Sequence, residues 1–140
     1  MRTQWFRRFA ATAALGVLVG AGAAAAAGGH RVERTRSGLQ ITHLVEGTGS
    51  SPGPTDTVKV DYHGTLVNGT IFDSTRGERP RTFRLDGVIP CWTEGLQHMR
   101  VGGKALLRCP ARIAYGLRGS PPLIPPNATL LFEVELLIVY

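Results

Sequence analysis

The 140-residue chain lacks the features that announce most chemistries. It has no glycine-rich phosphate loop and no dinucleotide fingerprint, so the usual nucleotide-binding motifs are missing. Its four histidines, His30, His43, His63 and His98, are scattered rather than spaced as metal ligands. With only two cysteines there is no thiolate cluster either, and no metal site or cofactor is expected. No Gly-x-Ser-x-Gly element marks a nucleophile. No dense run of Lys and Arg occurs, which argues against a nucleic-acid partner. No internal repeat is evident.

At the N-terminus there is a signal. Arg2, Arg7 and Arg8 precede an apolar run from Phe9 to Val19, followed by small residues through Ala27. This is the pattern of a secretory signal peptide, read as residues 1–27 with cleavage after Ala25-Ala26-Ala27. The alternative is an uncleaved membrane anchor. Without Arg2, Arg7 and Arg8, 13 Lys and Arg remain against 10 Asp and Glu, a net charge of +3. About 113 residues then remain, enough for one domain around one core. Residues 28–37 are polar and Arg-rich and read as a flexible leader; the domain proper is read as residues 38–140. Cys91 and Cys109 allow one disulfide or two buried thiols, and export into an oxidising compartment favours the bridge. A nucleophilic Cys91 beside His98 is the weaker reading.

The fold hinges on Gly87 to Leu96. Trp92, Leu96 and Met99 fall at i, i+4 and i+7, one face of a helix. Pro90 suits the first helical turn and Gly102-Gly103 marks the latest end. A helix of two to three turns is not stable alone in water, so a sheet must cover its apolar face. Strands are expected over Leu39–Glu46, Thr57–His63 with Gly64–Val67 leading into the Asn68-Gly69 hairpin turn signal, Thr70–Asp73, Thr82–Asp86 with Phe83 and Leu85 inward, Lys104–Cys109, and Thr129–Val139, where Phe132, Val134, Leu136 and Ile138 on the core face alternate with Glu133, Glu135 and Leu137. Ala111 to Asn127 reads as a long loop. Connections look antiparallel, with no βαβ rhythm. The fold class is α+β: a curved antiparallel sheet of five to six strands wrapped around one short helix. A small all-β barrel is the alternative. Val88, Ile89 and Trp92 are expected to line a pocket between helix and sheet.

Six segments carry a resemblance. They are Tyr62-His63-Gly64, Phe72-Asp73-Ser74, Gly87 through Leu96, Val101 through Lys104, Ala114-Tyr115-Gly116, and Ile124 through Leu130. In this order they closely resemble the FKBP-type peptidyl-prolyl cis-trans isomerases, most nearly the exported bacterial members, from about Gly38 to Val139. The resemblance implies isomerisation of X–Pro bonds without covalent intermediate, metal or cofactor. It implies that Trp92 floors a pocket walled by Tyr62, Phe72 and Phe132. Val88 and Ile89 would form a rim, with the Ile89 N–H offered to a substrate carbonyl. Tyr115 would present its hydroxyl, Leu123 and Ile124 would close the pocket from the long loop, and Asp73 would be the polar group at its edge. Asp73 is an orienting charge or a structural anchor, rather than a general base.

Departures from the family pattern are visible. Cys91 stands where many members have Gly, and with Cys109 could staple the helix start to a strand. The loop after Asp73 is about a residue short, and which of Arg76, Arg79 and Arg81 meets Asp73 is open. Arg81 lies where some members place an aromatic wall, so a more open side is expected. Ser120, Pro121 and Pro122 alter the long loop. The expected function is folding assistance to exported, proline-containing polypeptides in the periplasm or cell envelope, by a monomer free of the membrane after cleavage. Macrolide immunosuppressant-type compounds are the expected inhibitors. A peptide-binding module or chaperone with weak turnover, or an interaction domain held by an uncleaved leader, are the alternatives.

Overall fold

The computed structural model describes residues 29–140; the proposed signal segment, residues 1–27, lies outside the described residues. Elements follow in the order β1 (Arg31–Arg34), β2 (Gln40–Val45), β3 (Thr57–Leu66), β4 (Ile71–Ser74), β5 (Arg81–Arg84), a 3-10 turn at Leu85–Gly87, and α1 (Pro90–Gln97). Strand β6 (Lys104–Cys109), a second 3-10 turn at Ala111–Ile113, and β7 (Leu130–Val139) complete the chain. The strands form one seven-stranded sheet in the order β1-β2-β6-β7-β3-β4, with β5 also paired to β3. Every pairing from β2 to β7 is antiparallel. The class is α+β. Among the described residues no helix is long and apolar enough to cross a membrane.

Period-two alternation places the core. Val58, Val60 and Tyr62 on β3 point inward, as do Ala105, Leu107 and Cys109 on β6 and Phe132, Val134 and Leu136 on β7. The Asn68-Gly69 turn joins β3 to β4: Leu66 N–H donates to Thr70 O (2.8 Å), and Gly69 takes φ +92°, which a side chain would resist. On α1, Cys91, Trp92, Gly95 and Leu96 are buried against the sheet. Gly95 permits the close approach: a Cβ there would sit 3.1 Å from Leu107 Cδ1. The structure joins Cys91, in the first turn of α1, to Cys109 at the end of β6, with Cα atoms 5.8 Å apart.

Three features differ from the sequence reading. Residues 31–34, read within a flexible leader, form β1, which is why there are seven strands rather than five or six. Ile138, read as core-facing, turns outward and is 38% exposed. Lys59 pairs with Ile138 while Val60 pairs with Leu136, so β7 carries an extra residue and its alternation flips. Val139 packs on the core instead. Glu133, read as a solvent-facing strand residue, is 5% exposed, and its Oε2 has no hydrogen-bond partner among the described residues.

Removing the Cys91–Cys109 bridge by a double Cys→Ala change should cost about 2–4 kcal/mol in denaturant unfolding, as for cross-links closing loops of this size. A change below about 0.5 kcal/mol would show that the bridge does not constrain the chain. A pH prediction follows from Glu133. Burial pushes its carboxyl up from 4.5 to about 7, against the opposing pull of Arg76 and Lys104. Between those values the folded protein holds a proton that the unfolded chain releases, so stability falls as pH rises through the window. Glu133→Gln should therefore raise the melting temperature more at pH 8 than at pH 4.5; an equal shift at both would contradict the buried acid.

Candidate functional site

Between α1 and the sheet lies a cavity of about 600 Å3. Its floor is Trp92. Three rings meet the indole edge-on: Tyr62 at 5.0 Å between centroids, and Phe83 and Phe132 each at 5.4 Å. Such T-shaped contacts add stability beyond the area they bury. Trp92 Nε1 is buried without a hydrogen-bond partner among the described residues. Phe72 completes the wall, packed at 5.4 Å and 89° against Phe132.

Two local devices bring these groups together. The first is a bulge in β4. Gly64 pairs with Asp73 while Thr65 pairs with Ile71, which leaves Phe72 as the extra residue. Successive strand residues normally point to opposite faces; the bulge lets Phe72 and Asp73 both line the cavity. The second is Gly64 itself. A Cβ there would lie 2.6 Å from Phe72 Cζ and 3.0 Å from Phe132 Cε1, so only glycine lets the two rings meet across β3.

The rim comes from two connections. Ile89, just before α1, is extended, and its carbonyl receives the N–H of Trp92 (2.9 Å). Its own N–H precedes the first turn, so the helix does not consume it. Opposite stands the segment 115–127. Ser120 and Ile124 exchange both backbone hydrogen bonds, at 2.8 and 3.0 Å, and hold a small flap whose tip is Pro121, Pro122 and Leu123. Tyr115 and Leu123 line the cavity yet remain 41% and 49% exposed. Ile124 is buried beneath them.

One ionic group sits at the edge. Tyr62 Oη donates to Asp73 Oδ2, Arg81 Nη1 donates to Asp73 Oδ1 at 3.1 Å and to Tyr62 Oη at 2.8 Å, and the Ser74 N–H donates to Asp73 Oδ1 at 2.9 Å. Both carboxylate oxygens are thus engaged. Burial pushes the Tyr62 phenol well above its ordinary range, and the Asp73 hydrogen bond and charge add to this; Arg81 opposes. The Arg81 guanidinium lies 5.7 Å from the centre of the Tyr62 ring and also reaches Glu78 Oε1 at 3.3 Å.

All ten residues singled out for catalysis and binding line this one cavity: Tyr62, Phe72, Asp73, Val88, Ile89, Trp92, Tyr115, Leu123, Ile124 and Phe132. Cys91 and Cys109 lie behind it. Phe83 was legible as an inward strand residue but not as a wall; strand alternation gives its face, not its depth along the sheet. The side expected to be open at Arg81 is filled, because Phe83 packs there and Arg81 turns onto Tyr62 and Asp73. Among the described residues, no group of three or more His, Cys, Asp or Glu is placed to hold a metal.

An antiparallel sheet, a short helix across it and an aromatic cavity at their junction define the class. A sequence profile described as FKBP-type peptidyl-prolyl cis-trans isomerase matches residues 49–137. The FKBP-type peptidyl-prolyl cis-trans isomerase FkpA of Escherichia coli (strain K12) is 52% identical over 110 residues, 77% of this chain but 40% of that protein. FK506-binding protein 1A of Emericella nidulans is 50% identical over 105 residues, 71% of this chain and 96% of that one. A crystal structure of a peptidyl-prolyl cis-trans isomerase from Pseudomonas syringae pv. tomato superimposes with a TM-score of 0.73 at 42% identity, covering 77% of this chain and 80% of that one. The chain belongs to the FKBP-type peptidyl-prolyl cis-trans isomerases. It spans well under half the length of FkpA.

The edge network predicts a late-titrating phenol. In ultraviolet titration one tyrosine should ionise well above the ordinary phenol range, and Asp73→Asn should bring it part of the way down, since burial persists. An unchanged titration in Asp73→Asn would refute the coupling.

Proposed function

We propose that this chain accelerates cis–trans rotation about X–Pro bonds in exported polypeptides. The observation that carries the reading is the aromatic cavity floored by Trp92, with the Ile89 N–H and the Tyr115 hydroxyl at its rim. Rotation about the X–Pro bond opposes amide resonance; uncatalysed exchange takes tens to hundreds of seconds. The planar amide is dipolar and favoured by water, whereas the twisted amide has lost its resonance and is less polar. An apolar enclosure therefore disfavours the planar ground state relative to the twisted state, which is differential stabilisation of the transition state. The cavity offers that enclosure through four apolar rings besides Tyr62. The prolyl ring would rest on Trp92 between Tyr62, Phe72, Phe83 and Phe132. The Ile89 N–H and the Tyr115 hydroxyl would hold flanking carbonyls while the bond turns.

In this proposal Asp73 is an orienting charge. Both of its oxygens already accept hydrogen bonds, which fits a fixed negative pole better than a base awaiting a proton. Arg81 and Tyr62 hold that pole in place. Residues 1–27 carry the signal pattern, and this supports a site of action in the periplasm or cell envelope. Proline-containing polypeptides are the proposed substrates, and macrolide immunosuppressants the proposed competitors for the cavity.

Exchange measured on a panel of X–Pro peptides tests the reading. Wild type should far exceed the buffer rate. Tyr115→Phe should lower kcat/KM about two- to tenfold, the worth of one hydrogen bond. Asp73→Ala should lower it about tenfold or more, because it strands Arg81 and frees the Tyr62 hydroxyl. A folded wild type no faster than buffer would make the cavity a binding site only and favour a chaperone with little turnover.

A further inference from the structure

A second concavity runs along the outer side of α1, with a volume of about 710 Å3. Its walls include Pro54, Thr55, Val88, Pro90, Glu94 and Ile113. Val88 also lines the aromatic cavity, so the two hollows meet across a single side chain. Val88 is therefore the divide between the aromatic cavity and the outer groove.

Most of the groove's polar lining is already committed. Thr93 Oγ1 donates to Leu85 O at 2.5 Å, and Gln97 Nε2 donates to Thr93 O at 2.7 Å. Ser37 Oγ donates to Glu94 Oε1 at 2.5 Å, while Arg84 clamps Asp86 through contacts of 3.0 and 2.7 Å. His98 Nδ1 pairs with Glu33. Arg112 at the margin donates to Ser37 O. Arg84 thus offsets Asp86, and Glu94 is held by a neutral hydroxyl. The rest of the lining is largely aliphatic: Val88 and Ile113, partly buried against the core, and the exposed Pro54, Pro90 and Thr55. A groove of this kind recognises apolar side chains on an extended backbone.

We infer that this groove is a secondary subsite for the same client chain. It takes an apolar residue a few positions from the proline that sits over Trp92. The inference rests on the isomerase reading, and continuity through Val88 names the occupant. It gives the protein a preference for proline within apolar segments, the kind exposed while a client is still unfolded.

The test compares three peptides: a short X–Pro peptide, and the same peptide extended on either flank by four residues bearing Leu or Ser. Leu extension on one flank should raise kcat/KM about fivefold over Ser extension, the effect of burying part of one aliphatic side chain. Thr55 is exposed on the wall away from the cavity. Thr55→Glu should remove most of that gain and leave the short peptide's kcat/KM unchanged. Equal rates for Leu and Ser extensions, or a gain that survives both Thr55→Glu and Pro90→Glu, would overturn the subsite. If the short peptide is not turned over at all, the isomerase reading fails separately. Amide shifts on adding the Leu peptide then decide the groove: movement at Thr55, Glu94 and Ile113 supports it, and no movement there refutes it.

Discussion

The contact on which the structure depends is Trp92 against the concave face of the sheet. An eight-residue helix has too few hydrogen bonds to persist alone, so α1 exists only because its inner face is covered. The cover is redundant. Three rings surround the indole, Gly95 lets Leu107 approach, the Cys91–Cys109 link holds the first turn, and Thr93 ties back to Leu85. On the outer side Glu94 is bonded to Ser37 and His98 to Glu33, so β1 and the connection that follows it strap the helix from behind. The same packing that makes the helix possible makes the cavity floor rigid.

Polar and apolar work are kept apart in space. The cavity interior is aromatic and aliphatic, while Asp73, Arg81 and Tyr62 Oη form a closed network at one edge and the Ile89 and Tyr115 groups stand at the rim. This separation suits the proposed reaction, in which a charge inside the cavity would favour the dipolar planar amide while a charge fixed at the edge would orient a peptide and leave the interior apolar. Arg81 shows how local sequence variation is absorbed. Its strand position faces inward beside Val60, yet the side chain runs along β3 to the Asp73 carboxylate, and Phe83 two residues on takes the wall position.

Much of this was legible beforehand, and for identifiable reasons. The alternation of Val58, Val60 and Tyr62, the Asn68-Gly69 turn and the Trp92, Leu96, Met99 spacing are local patterns with a single good structural solution. The ten residues that line the cavity were picked out through family motifs, since their types alone read as an ordinary aromatic core. Other features were hidden. Strand β1 is polar and is a strand only because β2 offers it an edge. The outward turn of Ile138 follows from a one-residue offset against β3 that β7 does not itself encode. Glu133 alternates as a surface residue should and is nonetheless buried.

By itself, then, the sequence determined the helix and six of the seven described strands, the face that most of their apolar side chains present, the fold class and the family. Those properties depend on periodicity, turn chemistry and residue order, all of which are written along the chain. Tertiary structure alone decided which guanidinium meets Asp73, that Phe83 rather than an open gap closes the wall, and that Val88 divides two hollows instead of bordering one. Each of these turns on distances between strands and on bulges that shift register by one residue. Such distances emerge only when the sheet has closed around the helix.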